Sequence, residues 1–391
     1  MKLIARSAQQ TLKKLARSYP ALVVTGPRQS GKTTLTRSIF PDKPYVTLED
    51  LDTREFANSD PRGFLAQHAE GGVLDEVQRS PDLLSYLQAQ LDSNKKMGQF
   101  ILTGSQQFGL MSGISQSLAG RVAKISLLPF SINELQKARK TPKSLEDLLF
   151  TGLYPPIYDR KLEPNIWYNN YVDTYLERDV RQLINVRDLS NFQRFIRMCA
   201  ARTGQLLNLS SLASDCGITH NTAKAWISVL EASYVIHLLQ PHHQNFNKRL
   251  VKSPKLYFYD PGLATWLLNI QTPEQLVTHP ARGQLFETWV VSELLKYRFN
   301  KALGSNIYFW RNNAGHEIDI LLENALKLIS IEVKSAQTIA PDFFDSLNKF
   351  CSFAGDLVEQ SILIYGGDKP QNRENANVIP WKQVPKLESL L

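Results

Sequence analysis

Cysteine is scarce in this chain. Its three residues, Cys199, Cys216 and Cys351, are widely spaced. That excludes a disulfide framework and a cysteine-rich zinc site, and fits structural thiols in a reducing compartment. Long apolar runs are missing too, since no stretch reaches the roughly 20 residues that span a bilayer. Met1 to Arg6 lead into a basic amphipathic segment without an apolar signal core, so a cytoplasmic protein with no membrane partner is expected. Low-complexity tracts and internal repeats are absent. What remains over 391 residues is an ordinary globular composition, 43% hydrophobic and 21% charged. That length is too great for one small core, so two or three domains are expected. The net charge of +8 is compatible with nucleic acid but is spread over a large surface.

Against this background one segment stands out. Gly26, Pro27, Arg28, Gln29, Ser30, Gly31, Lys32 and Thr33 form a complete G-x-x-x-x-G-K-[ST] phosphate-binding loop, with Thr34 following. The apolar run Ala21–Thr25 before it suits a buried strand, and Lys32 to Phe40 after it suits a helix. In that geometry backbone N–H groups curl around phosphates. ATP is the expected ligand, with Lys32 on the β- and γ-phosphates and Thr33 on a magnesium ion. A second strand, Gly72–Asp75, ends in Asp75 and Glu76. Asp75 is placed to hold magnesium and Glu76 to orient the water that attacks the γ-phosphate. A third, Gln99–Thr103, ends in Gly104, Ser105 and Gln106, where Ser105 is the preferred γ-phosphate sensor and Gln106 the next. Arg121 precedes another β-rich run, and is expected either to stabilise the developing charge, in this chain or in a neighbour, or to form a surface ion pair.

The segments GPRQSGKTTL (26–35), VLDEVQR (73–79), LTGSQ (102–106) and SLAGRV (117–122) together resemble prokaryotic AAA-class ATPases that carry a C-terminal domain of unknown function with a restriction-endonuclease-like core. The resemblance covers essentially the whole chain. It implies an α/β architecture in four parts: an AAA-type P-loop sheet over 1–135, a helical lid or linker over 136–205, a winged helix-turn-helix over 206–280, and a restriction-endonuclease-like α/β domain over 281–391.

The residues of the middle region support this division. Thr151 to Pro156, with its paired prolines, predicts a turn. Tyr168, Tyr171, Val172, Tyr175 and Leu176 lie at helical spacing and read as a packing face, while Glu177, Arg178 and Asp179 repeat a string of the family with no assigned chemistry. Leu209–Ser214, the turn at Asp215–Gly217, a helix from Thr219 to Ala232 capped by Thr219, and strands at 234–239 and 255–259 describe helix, turn, helix and β-wing. His220, Asn221 and Lys224 are free to face a major groove. Lys248, Arg249, Lys252 and Lys255 are expected in or near the wing, against phosphates of double-stranded DNA.

The last region carries a second constellation. A helix from Gln284 bears Glu287. Strand alternation puts Glu317 and Asp319 on one face, and Glu332 and Lys334 on one face of the next strand. Asp319 and Glu332, with Glu287 as a further ligand, are a candidate Mg2+ set, and Lys334 is placed to position water. This is the Asp…Glu-x-Lys order of restriction-endonuclease-like nucleases. Three functions follow as expectations: an ATPase coupled to a DNA-associated nuclease-like module, a nucleotide-dependent switch or scaffold that does not cut DNA, and a nuclease gated by ATP. An oligomer is compatible with the sequence but not required by it.

Overall fold

The computed structural model describes residues 3–94, 96–105, 118–176, 189–242 and 252–391. Gln106, Glu177–Asp179, Lys248 and Arg249 lie outside them. No helix among the described residues is long and apolar enough to cross a membrane. The chain divides into two compact units, one of Met1–Phe130 with Ala232–Tyr234 and Arg298–Gly304, the other of Ser131–Glu231, Val235–Tyr297 and Ser305–Leu391.

The first unit is built on strands β1 (Ala21–Thr25), β2 (Tyr45–Thr47), β3 (Gly72–Asp75), β4 (Phe100–Gly104) and β5 (Val122–Ser126). All pair in parallel, in the order β2-β3-β4-β1-β5. The inner strands read as continuous apolar runs because helices cover both faces. Alternation sorts them: Ala21, Val23, Leu74, Phe100 and Leu102 enter one core, and Leu22, Val24, Val73 and Ile101 enter the other. The helix α1 (Lys32–Ile39) follows β1 through the loop. This order makes β1, β4 and β3 neighbours, so that the loop, Ser105 and the Asp75-Glu76 pair emerge at one edge of the sheet.

The second unit begins with short helices. The turn expected over Thr151–Pro156 is confined to residues 152–154, and Pro155 and Pro156 open the next helix, Pro155–Arg160, because proline's fixed φ and missing donor suit the first turn. The preceding helix, Leu145–Thr151, stops at Gly152. Tyr168, Tyr171 and Val172 are buried as a packing face. Next come a helix at Leu189–Ala200, β6 (Gln205–Leu206), helices α2 (Leu209–Cys216) and α3 (His220–Ala232), β7 (Ile236–Leu239) and β8 (Lys255–Phe258). The three strands form an antiparallel sheet in the order β6-β8-β7. Thr219 Oγ1 accepts from the Thr222 N–H at 3.1 Å, which is the expected N-cap.

The helix α4 (Arg282–Asn300) leads to a six-stranded sheet of β9 (Ile307–Arg311), β10 (Glu317–Asn324), β11 (Lys327–Lys334), β12 (Val358–Tyr365), β13 (Gln371–Arg373) and β14 (Ala376–Pro380), in the order β13-β14-β12-β11-β10-β9. β9, β10 and β11 are antiparallel neighbours, whereas β11, β12 and β14 run parallel. In the β10–β11 register Ile320 faces Ile331, which makes Asp319 and Glu332 the next cross-strand neighbours.

Candidate functional sites

The phosphate loop is shaped by two glycines. Gly26 has φ +145° and Gly31 +92°, and a Cβ on Gly26 would lie 2.1 Å from the Leu127 carbonyl oxygen, so only glycine lets β1 turn there. Gln29 also has positive φ, at 60°. Lys32 is buried, and its Nζ donates to the Gly26 and Pro27 carbonyls at 3.0 and 2.9 Å. Arg28 pairs with Glu49 at 3.5 Å, the Ser30 side chain is buried, and Thr34 is exposed on the first turn of α1. A residue that sequence reading passed over fixes the loop from outside. Arg6 is buried and donates from Nη1 to the Ser30 carbonyl and from Nη2 to that of Leu128, both at 2.6 Å.

The carboxylates meet the loop as their strands dictate. Asp75, 5% exposed, accepts from Thr33 Oγ1 at 2.8 Å and from the Tyr45 hydroxyl at 2.6 Å on Oδ2, and from Thr103 Oγ1 on Oδ1. Glu76 stands in the left-handed region at φ 57°, a conformation that costs a non-glycine residue about 1 kcal/mol or more and recurs at functional sites. Its Oε2 accepts from Ser105 Oγ at 3.1 Å and from Gln78 Nε2, which also donates to Ser105 Oγ at 3.3 Å. Thr33 with Asp75, and Glu76 with Ser105, are thus brought together. Tyr45, Thr103 and Gln78 were missed. Gln78 carried a faint signal, lying two residues past Glu76 in a short 3-10 turn, Val77–Arg79.

Arg121 is not brought to the loop. It precedes β5, whose first residue Val122 pairs with Ala21 at the start of β1, so it sits at the opposite edge of the sheet, roughly 16 Å away at about 3.3 Å per residue. There it forms a two-pronged pair with Asp92, Nε–Oδ1 at 2.6 Å and Nη2–Oδ2 at 2.8 Å. A contact with this chain's own γ-phosphate is excluded by that distance.

The second constellation also converges, but around a different cation. Lys255 opens β8 and was expected at the wing surface. It is 2% exposed and points into the carboxylates, 3.1 Å from Glu287 Oε1, in contact with Glu317 Oε1, and 4.0 Å from Asp319 Oδ1. The Tyr257 hydroxyl donates to Glu287. Asp319 Oδ2 accepts from the Val333 N–H at 2.9 Å, and Lys334 Nζ donates to Glu332 Oε1 at 2.7 Å. Glu332 Oε2 is buried and accepts no hydrogen bond. Among the described residues no three His, Cys, Asp or Glu side chains are arranged to hold a metal ion. The Lys255 ammonium stands among Glu287, Glu317 and Asp319, beside the Asp319, Glu332 and Glu287 carboxylates expected as a magnesium set. Of the expected DNA-facing residues, His220, Asn221, Lys224 and Lys252 are exposed.

Comparison with known proteins adds the following. Residues 18–136 match a family described as an AAA domain, and residues 142–274 and 282–384 match two domains of unknown function, DUF8612 and DUF4143. The uncharacterized proteins Rv2008c of Mycobacterium tuberculosis and Mb2031c of Mycobacterium bovis are each 30% identical over 339 residues, 85% of this chain and 74% of theirs. The chain belongs to the family of these two proteins. Among solved structures, the Walker-type ATPase PABY2304 of Pyrococcus abyssi overlaps 68% of this chain and 96% of its own at 14% identity, with a TM-score of 0.49. AMPPCP-bound DnaA of Aquifex aeolicus overlaps 57% and 85% at 14% identity, with a TM-score of 0.30. Neither overlap is close enough to carry an argument about function.

In this family member the AAA match contains the loop, Asp75, Glu76 and Ser105, so the first unit is a P-loop AAA-type ATPase domain with a parallel α/β sheet. The lysine–carboxylate cluster joins two other matches, with Lys255 in one and Glu287, Glu317, Asp319 and Glu332 in the next.

Burial, reinforced by the charge of Asp319, pushes the Glu287 carboxyl up to about 7 and that of Glu332 up to about 8, from an ordinary value of 4.5. Both groups bind a proton more tightly folded than unfolded. Their contribution to stability is therefore fully present below the unfolded value and lost as pH rises through the folded values. In urea unfolding from about pH 5 to about pH 8.5, stability of the second unit should decline, and Glu332→Gln should flatten the decline. An unchanged slope in that variant would contradict the assignment.

Proposed function

We propose that this protein is a magnesium-dependent ATPase that works as a nucleotide-dependent switch, with a winged-helix region and a restriction-endonuclease-like region as its output parts and no DNA cleavage. The observation that carries the reading is the hydrogen-bonded group Glu76–Gln78–Ser105 beside the loop, next to Asp75 and Thr33. Pure nucleotide storage needs a cradle but no oriented carboxylate. Two glycines that admit close backbone approach, the N-terminus of α1 and Lys32 suit a triphosphate. Thr33 and Asp75 form an oxygen donor pair that suits magnesium, which when bound neutralises charge between the β- and γ-phosphates. Lys32 holds the phosphate oxygens. Glu76 orients the attacking water and accepts its proton, while Gln78 and Ser105 hold its carboxylate in one orientation.

Glu76→Gln should keep ATP affinity and slow turnover by about 10^2- to 10^4-fold, the range for a lost general base. Gln78→Ala should lower kcat with little change in KM. Single-turnover assays with bound ATP decide the point, and wild-type turnover in Glu76→Gln would sink the hydrolytic reading.

The placement of Lys255 supports an output domain that does not cut DNA. The Lys255 ammonium takes up carboxylate oxygens of Glu287 and Glu317 that a nuclease centre would present to an ion. Incubated with Mg2+ and linear double-stranded DNA, the protein should leave the DNA intact. Cleavage that vanishes in Asp319→Ala would restore the nuclease reading.

DNA association is a second reading, favoured by the exposure of His220, Asn221 and Lys224 on α3, which follows the Gly217 turn. The order of helix, strand, two helices and two strands supports a winged helix. Affinity for double-stranded DNA should fall steeply with salt, and Lys224→Ala should lower the slope by about one unit. A flat affinity from low to physiological salt would leave the switch without a DNA partner.

A further inference from the structure

A cavity of about 510 Å3 in the second unit lies outside both sites described above. It opens at the carboxyl ends of the three parallel strands β11, β12 and β14. Gln337 and Thr338 follow the first, Gly366 to Lys369 the second, and Trp381 and Lys382 the third. Crevices at the carboxyl ends of parallel strands are where α/β sheets hold ligands, because the loops converge there without blocking one another.

Its chemistry is cationic. Lys143, Lys369, Arg373 and Lys382 line it, against two carboxylates, Glu146 and Asp368. Glu146 is already neutralised by Arg282, whose Nη2 and Nε lie 2.7 and 3.1 Å from its Oε1. Asp368 pairs with Lys382 at 3.3 Å. Lys143 and Lys369 have no carboxylate partner among the described residues. The Arg373 guanidinium lies over the Phe344 ring, 5.6 Å from its centroid, and takes the Gln371 side-chain oxygen at 2.8 and 3.1 Å. Three positive charges therefore remain for a ligand.

The floor is rigid. A Cβ on Gly366 would lie 2.3 Å from the Ser335 carbonyl oxygen, and one on Gly367 2.3 Å from the Tyr365 ring. The Tyr365 hydroxyl donates to the Lys369 carbonyl at 2.7 Å and accepts from the Lys369 N–H at 2.9 Å, which closes residues 365–369 into a loop that presents Lys369. Tyr365 and Trp381 are 3% and 2% exposed, so neither offers a face on which a base would stack, and recognition falls to phosphate oxygens.

We propose that this cavity binds a phosphoryl group, held by Lys143, Lys369 and Arg373. The group belongs either to a small soluble phosphorylated ligand or to the phosphorylated end of a nucleic-acid strand. The test is calorimetry on the full chain carrying Lys32→Ala, which removes the loop as a competing phosphate site, with inorganic pyrophosphate and a 5′-phosphorylated trinucleotide as probes. At least one probe should bind, and Lys369→Glu and Arg373→Glu should each weaken it about tenfold or more, the loss of one charge-assisted contact. The exposed Lys349→Glu should leave affinity unchanged. Binding of pyrophosphate alone assigns a small ligand, and binding of the trinucleotide, alone or with pyrophosphate, a strand end. Failure of both probes to bind, or binding that survives both charge reversals, overturns the proposal.

Discussion

One carboxylate ties together the working edge of the ATPase sheet. Asp75 accepts from Thr33 on the helix after the loop, from Tyr45 on β2 and from Thr103 on β4. Those three donors come from elements far apart in sequence, and they can meet only because β3 lies between β2 and β4. A buried carboxylate gives up its hydration, and hydrogen-bond donors from the protein replace it. Loop position, carboxylate position and strand order are therefore one constraint. Glu76 inherits its place from it, and the left-handed backbone at that residue turns its side chain toward Ser105 and Gln78.

The second unit solves a related problem with the opposite sign of economy. Glu287, Glu317, Asp319 and Glu332 crowd one end of β10 and β11, and without a cation their mutual repulsion and desolvation would work against folding. Lys255 lies against Glu287 and Glu317 and within 4.0 Å of Asp319, Arg311 also pairs with Glu317, and Lys334 pairs with Glu332. Burial alone would pull the Lys255 ammonium toward neutrality, but the surrounding acidic groups lift it well above its ordinary value. The same carboxylate pattern thus reads as a metal centre in one dimension and as an ion-pair cluster in three.

That contrast marks what was legible from the chain. β1, β3, β4 and β5 were visible as apolar runs and β10 and β11 as alternations, whereas β2, β6, β13 and β14 were not read; the loop announced itself through two glycines whose φ angles other residues adopt with difficulty. Local rules also sufficed for Thr219 as a helix cap. They failed where the deciding partner is distant: Arg6 lies 24 residues before the Ser30 carbonyl it holds, and Lys255 lies 32 before Glu287. They failed as well for Arg121, because spacing says that it precedes a strand but not at which edge of the sheet that strand begins. Pro155 and Pro156 misled for a smaller reason, since a proline pair that stops one helix is equally suited to start the next.

The position of Lys255 has one more consequence. A cation delivered by the chain itself is present at a fixed ratio of one per molecule, so the Lys255 counter-charge of these carboxylates does not depend on supply from the medium. The cluster keeps that charge for as long as β8 holds its place in the β6-β8-β7 sheet.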